Sequence, residues 1–233
     1  MLERLTGLAL GNLLVVIPLA ALAGILQATA FEWVYHRYWL HRPWLPPQMF
    51  TAHTLVHHQL CKHEDTFHVT EEEQEEALAF QWWGGPVLVG INMVPWAIAA
   101  LLLRGTSFPG WVVTGVIGAM IMLYYFAYEG LHHLMHKPTI AWIERAAFFK
   151  FIKNHHRLHH VYMGKNFNVV LPLADLLMGT LVLTDPLPAR VTEPSARQVA
   201  RRHSRWGKRL RGETQEAEQA APTGANLAAP PEH

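Results

Sequence analysis

Polar and apolar positions divide this chain sharply. Residues 5–31, 81–103 and 105–128 carry no charged side chain. Each stretch exceeds the roughly 20 residues that a helix needs to cross the hydrocarbon core of a bilayer. The first is longer than the apolar core of a secretory signal and lacks a small-residue cleavage site before Glu32, so it reads as a retained span. Pro18 within it is a candidate kink. The second and third stretches are separated by a short turn, Arg104-Gly-Thr-Ser-Phe-Pro-Gly110, and form a hairpin over about residues 82–135. The pattern predicts an all-α, integral membrane helical bundle in three parts: a first span over 1–34, a main domain over 35–188 containing the hairpin, and a tail over 189–233.

The hairpin returns the chain to the side from which it left. Residues 36–68 and 132–160, distant in sequence, are therefore expected at one membrane face. Orientation follows from the placement of cations. The turn offers Arg104, whereas the other side offers Arg37, Arg42, Lys62, Lys137, Arg145, Lys150, Lys153, Arg157 and Lys165. The positive-inside tendency puts that face in the cytoplasm, within a plasma or inner membrane, with the N-terminus outside. Residues 139–152 alternate apolar and basic positions and predict an interfacial amphipathic helix. Residues 167–183 are apolar but interrupted by Pro172 and Asp175, which suggests a buried or re-entrant segment. Residues 190–211 are basic, with Val199, Trp206 and Leu210 available for an apolar face on anionic lipid. Residues 212–233 are rich in Ala, Pro, Glu and Gln and read as disordered. The acidic run 71–76 reads as a solvated helix face.

Histidine changes the picture. Of sixteen histidines, fourteen fall in four clusters at the shared face: His36/His41; His53/His57/His58 with His63 and His68; His132/His133/His136; and His155/His156/His159/His160. Imidazole is the commonest metal ligand among side chains and suits iron, zinc, copper and nickel. Residues three or four apart share a helix face, so His53/His57, His132/His136, His156/His159 and His156/His160 can each present two rings to one metal. Adjacent pairs such as His57/His58 diverge by about 100° and can serve two different metals. Four clusters meeting at one face predict a binuclear site. A single cysteine, Cys61, excludes an internal disulfide framework and any cysteine-based cluster, and it reads as a solvated loop thiol. His203 and His233 read as ordinary surface side chains. His63, His68, His133 and His155 remain ambiguous.

The segments His36-Arg-Tyr-Trp-Leu-His41, His53-Thr-Leu-Val-His57-His58, His132-His-Leu-Met-His136 and His156-Arg-Leu-His159-His160 resemble the histidine boxes of the membrane-bound fatty acid hydroxylase/sterol desaturase superfamily. Tyr128-Glu-Gly-Leu-His132 and Met163-Gly-Lys-Asn-Phe-Asn168 resemble sequence flanking those boxes. The likeness covers roughly residues 30–185. The second box departs from some branches in placing three residues between its first histidine and its pair. The first two boxes also resemble beta-carotene hydroxylases. The resemblance implies a lipid hydroxylase or desaturase that uses O2, with two iron ions held by His36, His41, His53, His57, His58, His132, His136, His156, His159 and His160. Zinc is expected to compete for such sites during purification.

The sequence carries no fused haem-binding donor domain, so the resemblance also implies a separate redox partner, such as a ferredoxin or a cytochrome b5-like carrier with its reductase. The acidic run 71–76 is a candidate dock for it. No nucleic-acid partner is expected. Ligating imidazoles usually donate their outer N–H to a carboxylate or carbonyl, which nominates Glu32 and Glu129 as orienting groups, with Asn168 and Asp175 as further candidates. Trp39, Trp44, Trp82, Trp83, Tyr124, Tyr125 and Phe126 are candidates to line a route for substrate from the bilayer. The competing readings are a carotenoid hydroxylase of the same chemistry and a non-enzymatic metal transporter or metal-binding membrane protein. Transporters place polar ligands near the middle of broken spans. Here the clusters sit at and beyond the span ends, which favours an enzyme.

Overall fold

A computed structural model describes residues 10–184 apart from 45, 63–65, 71, 76 and 107. The expected tail, His203, His233, His63 and the first nine residues of the first span lie outside these described residues. Every regular element among the described residues is helical.

Three helices are long and apolar enough to cross a membrane. They are α1 (Leu10–Tyr35), α5 (Gly84–Leu102) and α6 (Gly110–His136). Shorter helices fill the rest: α2 (Pro47–Phe50), α3 (His58–Leu60), α4 (Glu72–Glu75), α7 (Ala141–Arg145), α8 (Ala147–Val161) and α9 (Leu173–Leu177). Helix α6 is the centre of the bundle, with α1 and α5 packed against it. Small residues allow the close approach. A Cβ on Gly24 of α1 would stand 2.9 Å from the Met120 Cβ of α6, and one on Gly110 would stand 2.9 Å from the Ala100 Cα of α5. Outward positions such as Leu14, Leu19, Leu102, Leu123 and Phe126 are exposed, which leaves the outside of the bundle apolar.

Polar side chains tie α1 to α5. The Gln27 side-chain amide donates to the Asn92 carbonyl (3.0 Å) and to Asn92 Oδ1 (3.1 Å). Trp96 Nε1 donates to Gln27 Oε1 at 2.5 Å, which ties α1 to α5. Two elements differ from the sequence expectation. The amphipathic helix expected over 139–152 is split into α7 and α8 at Ala146, whose ψ of 133° is extended. Cys61 is buried, at 1% exposure, rather than solvated, and burial pushes its thiol up to about 12. The chain around it turns inward because neighbouring His57, His58 and Leu60 are themselves buried.

Where α1 ends, the chain does not unwind at once. It widens into a π-helical stretch, His36–Leu40, closed by the His41 N–H donating to the His36 carbonyl. A second π-helical stretch runs over Thr51–His57 and is closed by the His58 N–H donating to the His53 carbonyl. Such i→i+5 turns are rare and concentrate at functional sites. Here they bring into register residues that an α-helix would separate.

Candidate metal centre

The four histidine clusters meet. His36, His41, His53, His58 and His159 form one group, and His57, His132, His136 and His156 form a second; within each, the ligand nitrogens lie within 4.8 Å of one another. In the first group, His36 Nε2 lies 2.8 Å from His53 Nε2, His58 Nε2 3.1 Å from His53 Nε2, and His41 Nε2 3.0 Å from His159 Nε2. In the second, His132 Nε2 lies 3.2 Å from His57 Nε2 and His136 Nε2 3.0 Å from His156 Nε2. His160 belongs to neither group, but its Nε2 lies 3.1 Å from His156 Nε2, and its ring centroid is 4.3 Å from that of His58. It sits between the two groups.

The π-helical turns account for this sorting. His36 and His41 are five apart, and their rings stack at 5.0 Å. His53 and His58, also five apart, join the same group, while His57 turns away to the other. The i, i+4 pairing of His53 with His57 expected for an α-helix is therefore replaced by an i, i+5 pairing. On α8, His159 joins the first group and His156 the second, so the three-apart pair expected to present two rings to one metal is divided between the two groups. His68 is exposed and His133 half-buried, outside both groups, and His155 points instead at Asp175, with Nε2 3.2 Å from Oδ2.

Four rings have their outer nitrogen fixed by backbone carbonyls. His36 Nδ1 contacts the Phe167 carbonyl, and His159 Nδ1 donates to the Lys165 carbonyl at 2.6 Å. His132 Nδ1 donates to the Leu78 carbonyl at 3.0 Å, and His136 Nδ1 to the Phe67 carbonyl at 2.7 Å. A neutral ring that donates from Nδ1 presents a lone pair at Nε2, so two rings in each group are set as ligands before any ion arrives. Beyond the span ends, burial, reinforced by neighbouring imidazoles, holds His53, His57, His58, His156 and His160 well below the usual histidine value. Burial lowers His41 to about 4 and His159 to about 3. The rings are neutral at physiological pH, which is the form that binds metal.

The carboxylates nominated from sequence sit beside this centre without touching an imidazole of either group. Glu32 accepts from the Val169 N–H (2.6 Å), the Tyr124 hydroxyl (2.7 Å) and Asn168 Nδ2 (2.9 Å). Glu129 Oε2 accepts from the Phe80 N–H at 3.4 Å, while its buried Oε1 has no partner among the described residues. Asn168 joins Glu32 to the Thr29 carbonyl, and Asp175 binds the Phe167 and Asn168 N–H groups and the Thr180 hydroxyl. Burial raises Asp175, but hydrogen bonds from His155, Thr180 and those two N–H groups outweigh it and hold the carboxyl below its usual value. These groups fasten the 165–180 segment. The carbonyls of that segment reach the histidines, and carbonyl partners leave no trace in a residue-type pattern.

An apolar cleft of about 60 Å³ opens between α1, α5 and α6. Ala28, Tyr35, Val89, Ile121 and Tyr128 line it, together with His36 of the first histidine group. Of the aromatic residues expected along a substrate route, Tyr124 and Tyr125 line this cleft. Trp82 and Phe126 face outward, and Trp39 and Trp44 pack on each other at 5.9 Å. No protein family, curated protein or solved structure matches this chain.

The donor set fits two metal ions of intermediate softness. Nitrogen ligands suit iron, zinc, copper or nickel, and the absence of thiolate and carboxylate from both groups disfavours calcium and magnesium. The arrangement could hold two ions close together at a buried position, and His36 of the first group also lines the apolar cleft.

Proposed function

We propose that this chain is a membrane-bound, non-haem di-iron oxygenase that hydroxylates or desaturates a lipid with O2. One observation carries the reading: two adjoining groups of buried, neutral imidazoles meet an apolar cleft between long apolar helices at His36. The likeness of the four histidine segments to the fatty acid hydroxylase/sterol desaturase superfamily supports the same reading. Soluble ferritin-like di-iron proteins draw on Glu-x-x-His pairs, whereas here the donors are all imidazole.

Bound iron would supply the oxidising power that breaks a substrate C–H bond. Hydroxylation consumes the C–H bond, O2, two electrons and two protons, and yields an alcohol and water. Desaturation takes two hydrogens from adjacent carbons with the same O2, electrons and protons, and yields an alkene and two waters. The electrons come from a separate reduced carrier. The chain itself holds the ions through the two imidazole groups and fixes ring tautomers through the Phe167, Lys165, Leu78 and Phe67 carbonyls. The cleft receives the lipid chain and sets its C–H bond toward His36, while Leu40, Met135, Ile152 and Leu158, all essentially inaccessible, keep water away. The histidine face lies on the cytoplasmic side, where the cations of residues 37–165 cluster.

The test measures iron per chain in protein from iron-supplemented cells, for the wild type and for His53→Ala with His136→Ala, which takes one ligand from each group. Lipid extracts from the same cells, grown under isotopically heavy O2, are profiled by mass spectrometry. Two irons in the wild type, their loss in the double variant and a wild-type-only lipid carrying heavy oxygen or a new double bond are expected. Zinc at full occupancy with no O2-dependent product would sink the enzyme reading in favour of a metal-binding membrane protein.

A further inference from the structure

The two histidine groups are built on the same local plan. On α1, Glu32 stands four residues before His36; on α6, Glu129 stands three residues before His132. Such residues share a helix face. Each face is crossed by an irregular segment, and each segment docks at two points spaced by two residues. The Phe167 carbonyl meets His36 Nδ1, and the Val169 N–H donates to Glu32 at 2.6 Å. The Leu78 carbonyl accepts from His132 Nδ1 at 3.0 Å, and the Phe80 N–H donates to Glu129 at 3.4 Å. The glutamate anchors the segment, and the anchored segment aims a carbonyl at the ligand. The two docks share no residue.

We propose that Glu32 and Glu129 are positioning residues, one for each metal position, and that each position is loaded through its own dock, independently of the other. The inference rests on the di-iron reading above and deepens it. Without its anchored carbonyl, the ring is free to turn an N–H rather than a lone pair toward the ion. Loss of such an outer hydrogen-bond partner weakens metal binding by about 10–100-fold. The anchors are unequal. Glu32 accepts three hydrogen bonds of 2.6–2.9 Å, while Glu129 accepts one at 3.4 Å. The Glu32 side is therefore the more sensitive of the two.

The experiment titrates full-length protein in detergent with ferrous iron under anaerobic conditions, and counts iron per chain at limiting free metal. Glu32→Leu and Glu129→Leu are each expected to weaken one of the two sites by about 10–100-fold and leave the other at wild-type affinity. Glu129→Gln is expected to restore both sites, because the amide oxygen still accepts the Phe80 N–H. Pairing Glu32→Leu with His58→Ala, in the same group, keeps one tight site; pairing it with His57→Ala, in the other group, leaves none. General loosening of the fold does not produce that pattern.

If both single variants keep two wild-type sites, or each loses both sites together while retaining wild-type helicity, the proposal is wrong. If Glu32→Leu does not fold, Glu129→Leu and its rescue by glutamine decide the matter alone. A wild type that binds no iron would instead defeat the di-iron reading, which separates the two failures.

Discussion

Replacing Ala28 with phenylalanine should remove most activity on long-chain lipids while leaving the metal in place. Ala28 lies in the wall of the cleft, at 5% exposure, eight residues before His36 on the same helix. At 1.5 Å per residue, the two are separated by about 12 Å along α1. A phenyl ring at position 28 fills about the last helical turn of that length, 5.4 Å, room for roughly four methylenes. At ~0.8 kcal/mol per buried methylene, the lost contact amounts to about 3 kcal/mol, or on the order of 200-fold in kcat/KM. The assay compares kcat/KM over a series of substrate chain lengths, with iron per chain measured on the same samples. The penalty should grow with tail length and vanish for tails too short to reach Ala28. Val89→Phe, entering from the opposite wall, should reproduce the trend. An equal loss at every length, or no loss, with iron intact would refute the assignment of the cleft to the substrate tail.

Three further outcomes follow from the same structure. Gln27→Leu removes three hydrogen bonds between spans and should lower stability by about 2 kcal/mol at ~0.6 kcal/mol each; Asn92→Leu leaves the Gln27 contacts to Trp96 and to the Asn92 backbone, and should lower it by half of that or less. Thermal unfolding in micelles ranks the two, and a larger effect at Asn92 would count against the network. Chelator-stripped protein should lose stability on acidification. The unfolded histidines take up protons near pH 6.5, while folded His41 and His159 resist until about 4 and about 3, so the loss begins below pH 6.5 at about 1.4 kcal/mol per pH unit for each such ring. A urea midpoint that stays flat from pH 7 to pH 5 would contradict this. Finally, Cys61→Ser should leave iron content unchanged, since Cys61 stands in neither histidine group; metal analysis that finds iron lost would make it a ligand.

The helices were legible because hydrocarbon excludes charge, and three uncharged stretches longer than a span leave few alternatives. The convergence of the clusters was legible from the hairpin alone, since residues 102 and 110 close a turn that must return the chain. The allotment of rings to ions was only partly legible. The divergence of His57 from His58 follows from helical pitch and holds, but the partner of His53 depends on a π-helical turn. No side-chain pattern announces such a turn. The orienting partners were hidden for a different reason. Every residue carries a carbonyl, so Phe167 and Leu78 look no different from their neighbours, whereas the carboxylates of Glu32 and Glu129 stand out in the sequence. Those carboxylates matter one bond further out, through the Val169 and Phe80 N–H groups.

The π-helical stretches also bear on what holds the centre together. Nothing in the local sequence, His-Arg-Tyr-Trp-Leu or Thr-Ala-His-Thr-Leu-Val-His, favours an i→i+5 turn over the tighter α-helix. What a five-residue repeat achieves is the placement of His36 with His41, and of His53 with His58, around a single point. A backbone that holds a locally disfavoured form needs an offset elsewhere. Part of it is a hydrogen bond: Thr54 Oγ1 donates to the Leu40 carbonyl at 2.6 Å and so joins the two π-helical stretches. On the proposed di-iron reading, ion binding supplies a further part, since its free energy enters the folding balance whenever ligands from several elements must meet. On this account the departure from α-helical pitch is itself a signature of metal binding, confined to two stretches that, with the residue closing each, supply four of the five rings of one group.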